Sequence, residues 1–462
     1  MIAARRCVVA VGLLLVPFAS GVGQDRLVAI KARQIIDGTG RAPIANGVVL
    51  VRGDKIDAVG TASSVSIPAG AEVIDLGEET LLPGLIDTHG HLSLRFGITD
   101  QNGAVMTLGQ GQAQPDGIQM LRMVRDARAA LLCGVTTMRM VGEEHFNDVY
   151  LKRAVESGQV PGPRMILGGE PISSTSGHGS PLNWVDGPWA GVKAVRENFG
   201  QGVEWQKLLL IDRTPNATLF SPEELKAMVD EAHRLGMKVT AHATGRWGSS
   251  IRAAIDAGVD NIEHARPMTD DIIKLMVQHG TTASLTPLVY VGFRPDASTW
   301  KFMDNVAKGP GDWIEYGRKQ FFDFRKAHPE VENTDRPYIS EDFTRSGRDF
   351  FPSIATQQRE ALAAFKAGVP ISLGLDTVYY GTIGNAIEFF IEGGMAPMDA
   401  IRAATAIAAK NIGYGDRLGT LEKGKLADIM SLRANPLTQR WAWNTVHLVM
   451  KGGQRFDMIS WN

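Results

Sequence analysis

Eight short apolar runs, separated by stretches with helical character, constrain the fold of this chain more than any other feature. Runs of this length bounded by turn residues are typical of buried strands, and their alternation with helices is typical of a parallel sheet. Eight such units predict an α/β fold, a (β/α)8 barrel of the TIM type over residues 81–418. The strand candidates are 81–92, 133–141, 163–169, 203–211, 237–243, 260–265, 281–286 and 369–375.

The clearest helix boundary in this alternating region is the sequence Ser221-Pro222-Glu223-Glu224. A serine cap, a proline in the first turn and acidic residues at the helix start are a recurrent pattern. The pattern predicts a helix that begins here, runs to Leu235 and ends at Gly236.

The segments on either side of the alternating region have β character. Residues 24–80 and 419–462 contain short strand candidates, including 419–421, separated by turn residues. A chain of 462 residues is long enough for a barrel with an accessory layer, so we expect both segments to pair in one small β-sandwich domain. The polar, aromatic-rich insertion 291–352 separates the last two strand candidates, and we expect it to cover the active face.

The first residues have the composition of a secretory signal peptide. Two arginines precede the apolar run 7–18, and small residues follow it. This run is too short to span a membrane comfortably, and the order of segments is that of a cleaved export signal. We predict removal of residues 1–23 by cleavage near Gly23, with Ala19 or Ser20 as alternatives, and a periplasmic or secreted protein. The competing interpretation is an uncleaved N-terminal anchor.

The composition of the whole chain excludes some classes of partner. The net charge is −2, and 21% of the residues are charged, which is ordinary for a globular protein. Nothing in this balance indicates nucleic acid or an anionic membrane surface as a partner. We expect a small-molecule substrate and no stable membrane span after removal of the signal.

Histidines and an aspartate stand at the ends of four of the predicted strands. His89 and His91 end the first run and point to the same side of it, because alternate residues of a strand share a face. His242, His264 and Asp376 end the fifth, sixth and eighth runs. Active groups of such barrels lie at the C-terminal ends of the strands, so these side chains are expected to converge. Imidazole and carboxylate groups at one point suit a transition metal such as zinc.

Lys207 lies within the fourth strand candidate, where a charged amine is unexpected. Burial of its charge is costly, so the side chain either faces outward, pairs with an acid or is held as a neutral, nucleophilic amine. A neutral amine can add carbon dioxide and become a carbamate, which could bridge two cations.

The chain resembles the amidohydrolase superfamily, in particular its imidazolonepropionase-like and prolidase-like metal-dependent hydrolases. Three positions depart from the usual pattern of similar sequences: Met140 follows Arg139 in place of an aspartate, Leu375 precedes Asp376 in place of a threonine, and Asp212-Arg213 stands where a glycine pair is common. These departures leave the expected metal ligands in place and concern the substrate. The motifs that carry the resemblance, in chain order, are 82–91, 134–137, 161–164, 176–179, 241–243, 258–264, 403–405 and 424–428.

The resemblance implies a homo-oligomeric enzyme with two divalent metal ions per chain, expected to be zinc. Lys207, N6-carboxylated, bridges both ions in this scheme, and Asp376 takes the proton of the attacking water. His178, after the third strand, binds the substrate carbonyl or carboxylate, and Tyr290, after the seventh, hydrogen-bonds the oxyanion. The implied metal ligands are His89, His91, Lys207, His242, His264 and Asp376.

The expected activity is hydrolysis of an amide or peptide bond by a dipeptidase, a carboxypeptidase or a hydrolase of N-acyl amino acids, including aromatic amides. One alternative is a cyclic-amide hydrolase of the imidazolone type with a single metal ion, against which Lys207 and export both argue. The other is a non-catalytic binding protein on the same scaffold, against which the complete set of ligands argues.

Overall fold

The computed structural model describes residues 26–93, 115–178, 184–287, 354–376 and 383–456. The predicted signal peptide, the insertion 291–352 and Tyr290 lie outside the described residues. In the part of the chain that is described, no helix is both long and apolar enough to cross a membrane.

The N-terminal segment forms five strands before the alternating region begins. Their boundaries are β1 (Leu27–Ile35), β2 (Ile44–Arg52), β3 (Lys55–Thr61), β4 (Glu72–Asp75) and β5 (Thr80–Pro83).

Strands and helices then alternate, and each of the eight predicted runs overlaps one strand of this alternating series. The strands are β6 (Leu85–Gly90), β7 (Val135–Met140), β8 (Arg164–Ile166), β9 (Trp205–Ile211), β10 (Lys238–Thr244), β11 (Asn261–Arg266), β12 (Thr282–Leu285) and β13 (Ile371–Leu373). The helices are α1 (Asp116–Leu132), α2 (Asn147–Glu156), α3 (Pro188–Gly200), α4 (Pro222–Arg234), α5 (Ser249–Ala257), α6 (Asp270–His279), α7 (Ile354–Ala367), α8 (Ile383–Glu392), α9 (Pro397–Ala403) and α10 (Ala406–Asn411).

The eight strands are parallel and lie in two sheets, β6-β7-β8 and β9-β10-β11-β12-β13. Backbone hydrogen bonds connect the sheets at both gaps. Beside β9, the Ile172 N–H donates to the Lys207 carbonyl at 3.0 Å, and beside β6 the Asp376 N–H donates to the His89 carbonyl at 2.8 Å. The strand order therefore runs from β6 to β13 and returns to β6, as expected for a (β/α)8 barrel.

The C-terminal strands β14 (Ile429–Leu432), β15 (Val446–Lys451) and β16 (Gln454–Phe456) complete the sheet that β1 to β5 begin. Its order is β16-β15-β14-β5-β1-β2-β3, with β4 beside β1. The predicted pairing of the two ends is confirmed, because Leu82 of β5 lies opposite Met430 of β14. The strands form one hydrogen-bonded sheet, and the two-layer sandwich stays a prediction. The strand predicted at 419–421 is wrong, since Leu421 makes a single backbone bond to Asp37 outside any strand.

The first predicted run contains two strands rather than one. Gly84 separates β5 from β6. β5 belongs to the sheet formed by both ends of the chain, hereafter the terminal sheet, and β6 is the first of the eight parallel strands. A Cβ atom at Gly84 would lie 2.2 Å from Oγ1 of Thr136, so only glycine fits at this close approach. The change of sheet therefore occurs at Gly84, a few residues after the predicted domain boundary at 81.

The predicted helix start at Ser221 is confirmed in detail. Oγ of Ser221 accepts the Glu224 N–H at 3.2 Å, and Oε2 of Glu224 accepts the Ser221 N–H at 2.7 Å. This reciprocal capping box satisfies two backbone donors at the start of α4. The helix ends at Arg234, one residue before the predicted end.

Candidate metal centre

The side chains predicted at the strand ends meet at one point. The ring centroid of His264 lies 4.7 Å from that of His89 and 4.4 Å from that of His242, and those of His89 and His91 lie 5.2 Å apart. The carboxylate of Asp376 lies between them, with Oδ1 at 3.4 Å from Nε2 of His89 and 3.6 Å from Nε2 of His91. Its other oxygen lies 3.8 Å from Nδ1 of His264.

The ring orientations of His89 and His91 suit metal binding through Nε2. Nδ1 of His89 donates to Oε2 of Glu263 at 2.6 Å, and Nδ1 of His91 donates to the Gly142 carbonyl at 2.9 Å. Both Nε2 atoms therefore face Asp376. Ligand atoms of His89, His91 and Asp376 all lie within 4.8 Å of one another, a spacing that fits one metal ion.

Burial favours the neutral, ligating form of three of the four imidazoles, those of His91, His242 and His264. It lowers the pKa of His91 to about 3 and the pKa values of His242 and His264 well below their ordinary range. For His89, burial and Lys207 act in the same direction, but the carboxylates of Asp376 and Glu263 outweigh them and raise its pKa. The donor set of four imidazoles and a carboxylate fits a transition metal such as zinc.

Lys207 lies inside this group and does not face outward. Its side chain on β9 is 2% exposed, and among the described residues its amine has no hydrogen-bonding partner. Burial lowers the pKa of Lys207 to about 8, although the carboxylates of Glu263 and Asp376 act against this shift. A substantial neutral fraction is therefore present near pH 8, as addition of carbon dioxide requires.

His178 is also brought to the centre, whereas Tyr290 lies outside the described residues. The His178 ring stacks on that of His242, with the centroids 4.0 Å apart and the planes at 24°. Burial, followed by the charge of Lys207, lowers the pKa of His178 to about 4. Its imidazole is neutral at physiological pH and can donate one N–H to a substrate oxygen.

A buried ion pair behind His89 was not foreseen from the sequence. Glu263, which accepts from His89, also accepts from Nη2 of Arg139 and from Oγ1 of Thr240. Arg139 is fully buried, donates through Nε to the Thr88 carbonyl at 2.9 Å, and lies 4.4 Å from the ring centroid of Trp205. The pair fixes the backbone and ring of His89, because outer partners of this kind orient metal ligands.

Strand periodicity predicts that Glu263 points away from the centre, because neighbouring residues of a regular strand point to opposite faces and His264 points toward it. His264, the next residue, has φ of +65°, and the pairing of β10 with β11 shifts register beside it. This irregularity turns both side chains toward the centre. The signal that could have found the pair is a charged residue in each of two apolar runs, since buried charges need partners.

Comparison with protein-family models matches residues 80–456 to the amidohydrolase family. This chain belongs to the amidohydrolase family. The match covers the parallel strands, β5 and the C-terminal strands β14 to β16, and all the residues of the centre, whereas β1 to β4 precede it. It confirms the resemblance read from the motifs and the prediction of a metal-dependent hydrolase that acts on amide or peptide C–N bonds.

Relatives of this amidohydrolase act on different substrates. It is 28% identical to the ochratoxinase of Aspergillus niger over an alignment of 476 positions, which covers 94% of this chain and 87% of that protein. It is 23% identical to an imidazolonepropionase of Erwinia tasmaniensis, with 84% of this chain and 86% of that protein covered. A solved Xaa-Pro dipeptidase with bound methionine superposes with a TM-score of 0.75 at 25% identity, over 93% of this chain and all of that one.

Proposed function

We propose that this amidohydrolase is an exported enzyme that uses two divalent metal ions, expected to be zinc, to hydrolyse the amide bond of a dipeptide or an N-acyl amino acid. The observation that carries the proposal is the placement of the buried Lys207 amine, which has no hydrogen-bonding partner among the described residues, beside four histidines and Asp376. The relatives named ochratoxinase and Xaa-Pro dipeptidase support an amide or peptide substrate.

Two sets of side chains are proposed to hold the ions. His89 and His91 form one set, with Asp376 beside them, and His242 and His264 form the other. The neutral Lys207 amine would add carbon dioxide with loss of one proton, and the resulting carbamate would offer oxygen ligands beside both sets. When bound, the ions would lower the pKa of a water molecule and polarise the scissile carbonyl.

The chain itself supplies proton transfer and orientation. Asp376 accepts a proton from the water while the water oxygen bonds to the carbonyl carbon. It then returns that proton to the amide nitrogen as the C–N bond breaks. The products are a carboxylic acid and an amine. His178, stacked on His242, donates its N–H to the substrate carbonyl oxygen. Tyr290 remains the proposed donor to the oxyanion.

A substrate panel tests this function on metal-replete enzyme. It contains dipeptides, N-acyl amino acids and cyclic amides of the imidazolone and hydantoin type, and elemental analysis accompanies each assay. Hydrolysis of dipeptides or acyl amino acids by protein with about two ions per chain supports the proposal. Turnover of cyclic amides alone by protein with one ion would establish the imidazolone-type alternative, and a loaded protein that binds but turns over nothing would be the binding protein.

A further inference from the structure

Arg213 follows β9, the strand that carries Lys207, and its backbone is held firmly. The carboxylate of the preceding Asp212 accepts the N–H groups of Trp247, Gly248 and Ser250 at 2.7–2.8 Å. The Arg213 N–H donates to the Ala217 carbonyl at 3.1 Å. The residue is therefore fixed at the C-terminal end of the parallel strands, on the face where the metal ligands converge.

The guanidinium of Arg213 contacts the loop that brings His178 to the centre. Its Nη2 donates to the Ser176 carbonyl at 2.5 Å, two residues before His178. The His178 ring stacks in turn on the ring of His242. After burial, Lys207 and Asp376, the charge of Arg213 also influences the pKa of His178, lowering it, so the two groups are electrostatically close.

Most of the hydrogen-bonding capacity of Arg213 is unused. A guanidinium has five N–H donors, and the side chain is exposed, with the Ser176 carbonyl as its single hydrogen-bond partner in the part of the chain that the structure describes. Among the described residues, no acidic side chain pairs with it. Two acids of the segments beside it are engaged elsewhere: Asp212 by three backbone N–H groups, and Asp186 by Thr175. An exposed cation whose other donors have no partner among the described residues therefore lies beside the loop that carries His178.

We propose that Arg213 binds the free carboxylate of the amino-acid part of the substrate. This inference rests on the proposed amide hydrolysis and narrows it to substrates with an ionised carboxyl group, excluding carboxamides and esters. The planar fork of a guanidinium matches a carboxylate through two parallel hydrogen bonds. With His178 at the scissile carbonyl and Arg213 at the carboxylate, the residues between them would orient the bond to be cleaved.

The kinetic test compares the fastest substrate of the panel with its carboxamide. Wild-type enzyme should prefer the acid, and Arg213→Gln, which keeps an N–H donor for Ser176 but has no charge, should lower kcat/KM for the acid about 10- to 100-fold, mainly through KM. The carboxamide should be hydrolysed equally by both. Arg213→Lys should recover part of the loss. The matched control is Arg246→Gln, an exposed arginine after β10 without an acidic partner among the described residues, which should change neither substrate by more than about twofold.

Two results would overturn the assignment. An equal loss with acid and carboxamide in Arg213→Gln would show that Arg213 only holds the Ser176 loop. An equal effect of Arg246→Gln would show a general positive field at this face rather than a carboxylate site.

Binding calorimetry separates this inference from the proposed reaction. L-Phenylalanine, L-methionine and L-proline are each titrated into metal-loaded protein beside their carboxamides. Tighter binding of the acids, lost in Arg213→Gln, supports the carboxylate site even if the panel finds no turnover. Absence of any preference for the acids would refute it whatever the panel shows.

Discussion

The pKa of the Asp376 carboxyl group is subject to opposing influences. Burial raises its pKa, but the electrostatic interaction and hydrogen bond with His89, followed by the interactions with His91 and Lys207, outweigh burial, and the pKa lies below its ordinary value. The group is therefore ionised at neutral pH. Its backbone is also unusual, with φ of +54°, a conformation that few residues other than glycine adopt and that occurs often at functional sites.

Replacement of this carboxylate should separate metal binding from turnover. Asp376→Asn keeps the shape of the side chain and one oxygen, but it cannot accept the proton of the attacking water. We expect a folded protein with most of its metal and a kcat lower by about 10²- to 10⁴-fold. Steady-state kinetics with elemental analysis measure both quantities. Retention of more than a tenth of the wild-type rate would place the general base elsewhere.

Lys207 should control the number of bound ions. Lys207→Ala removes the proposed carbamate, so bound metal should fall from two ions to about one per chain, with loss of most activity. Acetate or propionate should restore part of both by occupying the vacated space, whereas Lys207→Arg should restore neither, because its cation repels metal. Lys193→Ala, on an exposed lysine of α3, is the control. Two ions in Lys207→Ala would rule out the bridging role.

The sequence predicted which residues meet at the centre because the end of a parallel strand is a strong positional constraint. His89, His242, His264 and Asp376 needed only the strand order to be placed together. Arg139 and Glu263 were missed because their roles depend on a local turn of the backbone at His264, which periodicity does not encode.

At the scale of elements, the apolar run that begins at residue 81 shows a limit of pattern reading. Both β5 and β6 are fully buried, and apolar residues stand on either side of Gly84, with Leu81 and Leu82 before it and Leu85 and Ile86 after it. What changes there is the neighbouring strand, and neighbours are set by tertiary structure. Where a local signal was sufficient, as in the Ser221 capping box, the prediction was accurate to one residue.

A side chain at Gly84 should destabilise this junction. Gly84→Ala would bring its Cβ to 2.2 Å from Oγ1 of Thr136, so we expect a loss of about 1–3 kcal/mol in the free energy of unfolding. Urea or thermal unfolding measures it. Gly117→Ala in α1 is the control, since a Cβ there meets nothing within 4 Å. The hydroxyl of Thr136 has no hydrogen-bond partner among the described residues, so adding Thr136→Ala should recover part of the loss. Equal stability of Gly84→Ala and wild type would refute the close approach.

At the scale of the whole molecule, we propose that residues 1–23 direct the export of the protein. The first strand begins at Leu27, shortly after the proposed cleavage point, so removal of residues 1–23 leaves the described sheet intact. Protein recovered outside the cytoplasm should begin near Gln24, as intact mass and N-terminal sequencing can show. Leu14→Arg, which interrupts the apolar run, should leave full-length precursor inside the cell. Met1 on exported wild-type protein would instead identify an uncleaved anchor.

The pairing of β5 with β14 makes a strand at residues 429–432 a condition for burying one at residues 80–83. Until β14 emerges, one edge of β5 has unpaired backbone groups, and such edges invite aggregation and proteolysis. Pairing between strands so distant in sequence is also slow, because a long loop must close first. A chain that is truncated before β14 would therefore leave this edge of β5 exposed. The sheet therefore finishes forming only when its C-terminal strands join those that precede the parallel strands.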